Sequence, residues 1–142
     1  MAHRLPHLHA AWEVEEAVVS EEKKVVCLRL GHDYDPECIV LDDLLLDAYP
    51  DIEPLCKVYL LDIQEVPEFT QQYELYDPCT LMFFYRGRHV QLEFGMGDQY
   101  KSTGLHRSRK EVVDLIEAVH RGSMQGRSLI VAPQDNSSMY RY

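Results

Sequence analysis

The chain has 142 residues, enough for one domain with a full hydrophobic core, and 46% of them are apolar, ordinary for a globular protein. Its net charge is −10, split between −13 over residues 1–100 and +3 over residues 101–142. An acidic body argues against broad nucleic-acid binding, while the basic last third leaves room for a local contact with phosphates or an acidic protein. No run of about eighteen apolar residues exists, so no membrane span is expected. The stretch from Met1 to Pro6 lacks the apolar centre of a signal peptide. The expected compartment is therefore reducing, cytosol or nucleus, where four cysteines are no disulfide framework.

In chain order, His3 to His9 is too rich in Pro and His for a regular element. His7 and His9 are metal-ligand types, but no second ligand cluster is near in sequence, so no metal and no cofactor are expected. Ala10 to Ser20 has helical periodicity, with Trp12, Val14, Ala17 and Val18 on one face and Trp12 packing it onto a sheet. After a polar turn, Val25 to Leu30 is a continuous apolar strand of the parallel, buried type, interrupted by Arg29. A corner follows, His32 to Cys38. Asp35 suits an N-cap, Pro36 the first helical position, and Glu37 the positive end of the helix dipole.

The helix from Ile39 to Ala48 places Cys38, Leu41, Leu45 and Ala48 on one stripe, leaves Asp42, Asp43 and Asp47 in solvent, and stops at Tyr49-Pro50. Asp51 to Lys57 is a connection to a second strand, Val58 to Asp62. A short helix opens at Val66-Pro67 and runs to about Glu74. Leu75 to Thr80 is a loop entering a third strand, Leu81 to Tyr85. The Arg86–His89 turn carries a Gly for positive φ, and Val90, Leu92 and Phe94 alternate as an antiparallel strand that Gly95-Met96-Gly97 breaks. Asp98 to Ser108 is a polar loop. Glu111 to Arg121 is a helix with Val112, Leu115, Ile116 and Val119 as its stripe and Gly122 as its stop. Leu129 to Ala132 packs on the sheet, and a polar tail runs from Pro133 to Tyr142. Residues 1–142 read as one domain, with a C-terminal extension from about 127.

Strands joined by helices give parallel pairing, and the turn near Gly87 adds an antiparallel strand. This is the plan of the thioredoxin-like α/β fold: a central mixed four-stranded sheet flanked by helices, with an N-terminal helix and a C-terminal tail. Thioredoxins carry Cys-x-x-Cys where this chain has Asp35-Pro36-Glu37-Cys38. A carboxylate cannot attack a disulfide. Asp35 and Glu37 are also expected to raise the pKa of a nearby thiol by repulsion. The buried acid that such enzymes keep on the first strand falls near Arg29. The loop that faces the corner in thioredoxins is here Asp77-Pro78-Cys79-Thr80, which sets Cys79 against Cys38 as a candidate disulfide pair. Cys27 and Cys56 are expected to be core residues without a comparable partner.

Taken together, Leu5 to His9, Gly31 to Cys38, Tyr73 to Thr80 with Met82-Phe83-Phe84, and the closing Tyr140-Arg141-Tyr142 make the chain resemble the Dim/Dib family, small thioredoxin-like proteins of the spliceosomal U5 particle. The departure from that family lies around Asp98 to Arg109. The resemblance implies a nuclear, non-enzymatic structural subunit of the U4/U6.U5 tri-snRNP, required for pre-mRNA splicing. Such a subunit is a monomer held between large splicing proteins and released when the spliceosome activates. Candidate partner-binding residues are His32, Asp33 and Tyr34 at the corner, and Arg121, Arg127, Tyr140, Arg141 and Tyr142 toward the tail, with local contact to snRNA or pre-mRNA. The alternative is a thiol–disulfide redox protein using Cys38 and Cys79. A small-ligand carrier has no phosphate loop behind it.

Overall fold

The alternation of strand and helix expected from the sequence is realised in a computed structural model, which describes residues 5–75, 77–93, 102–103 and 108–131. The elements run β1 (His7–Leu8), α1 (Ala11–Ser20), β2 (Val25–Gly31), α2 (Pro36–Ile52), β3 (Cys56–Asp62), α3 (Pro67–Gln72), β4 (Cys79–Tyr85), β5 (Arg88–Glu93), β6 (Ser102–Thr103), α4 (Arg109–Met124) and β7 (Leu129–Val131). The sheet order is β1-β3-β2-β4-β5-β7, with β6 on β4. Strands β1, β3 and β2 are parallel, β4 is antiparallel to β2 and β5, and β7 is parallel to β5. The four central strands are those expected, and three short ones extend them.

Strand β2 is buried on both faces, and its period of two divides the core. Val25 and Cys27 belong to the layer containing Leu41 and Leu45 of α2 and Leu115 and Ile116 of α4. Val26, Leu28 and Leu30 belong to the opposite layer, with Val14 and Val18 of α1. Between β4 and β5, Arg86 and Gly87 both have positive φ, 51° and 80°, and Tyr85 faces Arg88 across the turn. This is a two-residue turn of the type whose twist matches a hairpin.

Several boundaries differ from expectation, each for a local reason. His7–Leu8 is not irregular: it pairs with Leu60 and Leu61, extending the sheet by one short strand. Trp12 does not pack the helix onto the sheet; it is 66% exposed. At about 100° per residue it sits roughly 200° around α1 from Val14, which with Val18 takes the buried face. Helix α2 runs through Pro50 to Ile52. Proline forfeits one backbone hydrogen bond there, but the extra turn buries Ile52 completely, and the Glu53 N–H closes on the Tyr49 carbonyl at 2.8 Å.

Helix α4 begins at Arg109, because the Ser108 hydroxyl accepts the Glu111 N–H, and Gly122 lies inside it rather than ending it. A Cβ at Gly122 would come 2.7 Å from Ile130 Cδ1, so this glycine permits helix-to-strand contact. The stop is Gly126, at φ 82°, where its own N–H bonds to Ser123 O and that of Arg127 bonds to Gly122 O, a Schellman closure. Within the expected Asp98–Ser108 loop, Ser102–Thr103 pairs with Thr80 and Leu81. Phe94, the Gly95–Gly97 break and the tail from Pro133, with Tyr140, Arg141 and Tyr142, lie outside the described residues.

Candidate functional site

The corner forms where β2 ends and α2 begins. Asp35 is the N-cap: its Oδ1 accepts the N–H groups of Glu37 at 2.9 Å and Cys38 at 3.3 Å, and Pro36 occupies the first turn. The carboxylate that stands where a nucleophile would stand is thus engaged by the backbone. Cys38 follows on the stripe that faces the sheet and is completely buried. Its Sγ donates to the Pro78 carbonyl at 3.4 Å. Strand pairing sets Gly31 opposite Cys79, so Cys79 lies beside the same pocket, 1% exposed. Both are free thiols, and no cis peptide bond occurs among the described residues.

The two thiols influence each other, with Cys38 the more acidic of the pair. The neighbouring Cys79 thiol, then the Arg29 guanidinium, holds the Cys38 thiol below its ordinary pKa against burial, while the neighbouring Cys38 and burial push Cys79 up. This corrects the expected upward shift at Cys38. The groups that lower it are Cys79 first, then Arg29 and the His32 backbone, while burial and the Asp42 carboxylate oppose them. Cys27 and Cys56 also meet. They are diagonal neighbours on paired strands, Val25 opposite Cys56 and Cys27 opposite Val58, and burial, with the neighbouring Cys56 thiol second, pushes the Cys27 thiol up. Both are core residues, as expected, but each has the other as partner.

Beside the thiols lies a charged network that the sequence did not announce. Arg29 is fully buried, and its period-two position points it toward α2. Its Nε donates to Asp42 Oδ1 at 2.9 Å and its Nη2 to Asp42 Oδ2 at 3.0 Å, a bidentate pair, while Nη2 also reaches Asp33. Asp42 is therefore not solvated; burial pushes its carboxyl up despite Arg29. Burial pulls the guanidinium down, but the two carboxylates outweigh it and raise Arg29. Asp33 continues the chain outward to His7 Nε2 at 2.7 Å. The only signal for this network in the sequence was a charge inside an apolar strand, which requires a partner without naming it.

Of the candidate partner-binding residues, His32, Asp33 and Tyr34 stand together. His32 and Tyr34 stack at 4.8 Å between centroids, His32 Nδ1 lies 3.2 Å from Asp62 Oδ1, and Tyr34 is 73% exposed. His9 Nδ1 pairs with Glu65 Oε1 at 3.0 Å on the same edge. Arg121 and Arg127 are elsewhere. They lie where α4 ends and β7 begins, and β7, like β5, runs parallel to β2. They therefore sit at the opposite end of the sheet from the corner, roughly 20 Å away by the length of a seven-residue strand. Among the described residues no group of three or more His, Cys, Asp or Glu is arranged to hold a metal, and no helix is long and apolar enough to cross a membrane.

Residues 4–136 match the family described as mitosis protein DIM1. The chain belongs to that family. It is 40% identical over 142 residues to mitosis protein dim1 of Schizosaccharomyces pombe, covering the whole of both chains. It is 37% identical over 131 residues to spliceosomal protein DIB1 of Saccharomyces cerevisiae, covering 92% of each. Among solved structures, chloroplastic thioredoxin z superposes with a TM-score of 0.65 at 13% identity, over 86% of this chain and 99% of that one. That likeness is one of fold: a DIM1-family member keeps the thioredoxin-like sheet and carries an N-cap aspartate at the corner.

Proposed function

We propose that the chain is a non-enzymatic structural subunit of the splicing machinery, acting in the nucleus through contacts with large proteins of the U5 and U4/U6.U5 particles. It is required for pre-mRNA splicing and is released when the spliceosome activates. The observation that carries this reading is Asp35: the fold's nucleophile position holds a carboxylate that caps α2. A scaffold without its attacking sulfur works by being held, and relatives at 37–40% identity are named as mitosis and spliceosomal proteins. The exposed corner at Tyr34 and the C-terminal tail are the surfaces that would be held. Purification of the tagged protein from nuclear extract is expected to recover U5 and tri-snRNP proteins with their snRNAs; recovery of neither overturns the proposal. Removing Pro133 to Tyr142 is expected to weaken that association more than it lowers thermal stability, and unchanged recovery would exclude the tail.

The redox alternative rests on one observation: Gly31 holds Cys38 Sγ against it and faces Cys79 across the strand pair, which brings two buried free thiols to one corner. It requires catalytic turnover in an insulin-reduction assay that Cys38→Ser abolishes. The structural reading expects no turnover above the uncatalysed rate.

A further inference from the structure

The positive charge of this acidic protein is not evenly neutralised. Lys24, Arg29, Lys57, Arg109 and Lys110 each hold a carboxylate within 4 Å. Arg86, Arg88 and Arg127 hold none among the described residues, and all three line one cleft of about 480 Å³. The cleft lies between the β4–β5 turn and the start of β7, at the end of the sheet away from Cys38 and Cys79. Among the described residues no carboxylate lines it. Ser123 of α4 also lines it, 3% exposed. The arginines are carried on ordered turns. The Arg86 Nε donates to the Glu22 carbonyl at 3.0 Å, and the Arg127 N–H closes the Schellman turn. The Arg86 guanidinium and the Arg127 backbone are thus held before any ligand arrives.

We propose that this cleft binds a phosphorylated side chain of a partner protein. Three guanidinium forks match the oxygens of a compact phosphate monoester, which carries between −1.5 and −2 charges near neutral pH. A nucleic-acid strand fits less well on two counts. The ring face that would stack a base is already occupied, since the Arg86 guanidinium lies 5.3 Å over Tyr85 and the Tyr85 hydroxyl donates to Met124 Sδ at 3.2 Å. A long polyanion leaving the cleft would also meet a body whose first hundred residues carry net −13. A single phosphate on an otherwise neutral or basic peptide gains the local field without that repulsion. This deepens the proposed function and rests on it only in assigning the phosphate to a partner protein; direct titration succeeds or fails whether or not the chain enters splicing particles.

The test uses the full chain, labelled so that arginine side-chain N–H resonances are followed by NMR. The probes are an acetylated, amidated Ala-Gly-phosphoserine-Gly-Ala peptide, its unphosphorylated counterpart, and a short oligouridylate. Saturable shifts at Arg86, Arg88 and Arg127 are expected with the phosphopeptide, which binds at least about tenfold more tightly than the unmodified peptide. Arg88→Ala and Arg127→Ala should each weaken it roughly tenfold, whereas Lys110→Ala, in the first turn of α4 at the far end from the cleft, should not. The proposal is overturned if the two peptides bind alike, if Lys110→Ala weakens binding as much as the cleft variants, or if oligouridylate binds more tightly with a steep salt dependence.

Discussion

Gly31 sets how closely Cys38 approaches the strand beneath it. A Cβ there would fall 2.3 Å from Cys38 Sγ and 2.6 Å from the Pro78 carbonyl oxygen. The first neighbour can be cut back by mutation; the second is backbone. Gly31→Ala is therefore expected to destabilise by about 2–3 kcal/mol in urea unfolding, with Cys38→Ala in the same chain restoring only part. A variant as stable as the parent would show that the corner yields freely. The same close approach bears on the thiols. A Cys38–Cys79 bond would close a loop of 42 residues and, in the chain-entropy account, stabilise by roughly 4 kcal/mol at most. Non-reducing peptide mapping of an oxidised sample is expected to recover the 38–79 pair, and free thiols alone would count against it. At this scale the corner was legible because cap, proline and cysteine fall within four successive residues. The contact between Cys27 and Cys56 was not, because it depends on a strand register that places Val25, not Cys27, opposite Cys56.

Among elements, β2 and α2 are joined by charge as well as by apolar packing. Arg29 is wholly buried and Asp42 has a side chain 20% exposed, so removing one partner strands the other in a poorly solvated place. Arg29→Met is expected to cost about 3–5 kcal/mol in chemical denaturation, while Arg29→Met with Asp42→Leu should recover most of the loss, since a buried pair is often no better than well-packed apolar groups. A double variant as unstable as the single one would mean that Asp33, left facing the site, carries the penalty instead. The strand itself was readable from its apolar run and the stripe of α2 from its spacing. The partner of Arg29 was not, because Asp42 looked like an ordinary wet position until the strand and helix were placed face to face. Trp12 and Gly122 misled for the same reason: periodicity gives a face, but which face packs, and how closely, is decided by the neighbouring element.

For the molecule as a whole, the acid surplus makes stability depend on pH through a few carboxylates whose environments differ in sign. Asp42 is pushed up by burial and gains from protonation. Burial also raises Asp33, but hydrogen bonds from Arg29 and His7 outweigh it and hold it below the ordinary range. Glu21 is the clearest case. The Lys24 N–H, the Lys57 ammonium and the Lys23 N–H hold it down from 4.5 to about 2. This carboxylate ties the turn after α1 to β3, its Oε1 lying 2.9 Å from Lys57 Nζ. A folded-state pKa below the unfolded one means that the stabilisation is complete above the unfolded value near 4.5 and is lost as pH falls toward about 2. Solvent screens the pair, so its size is of order 1 kcal/mol rather than the full shift. Urea unfolding of the parent and Glu21→Gln should therefore differ by that amount at pH 6, converge as pH falls through 3, and coincide only below about 2. A gap at pH 2 as wide as that at pH 6 would mean that the glutamate acts by packing over the turn and not by its charge.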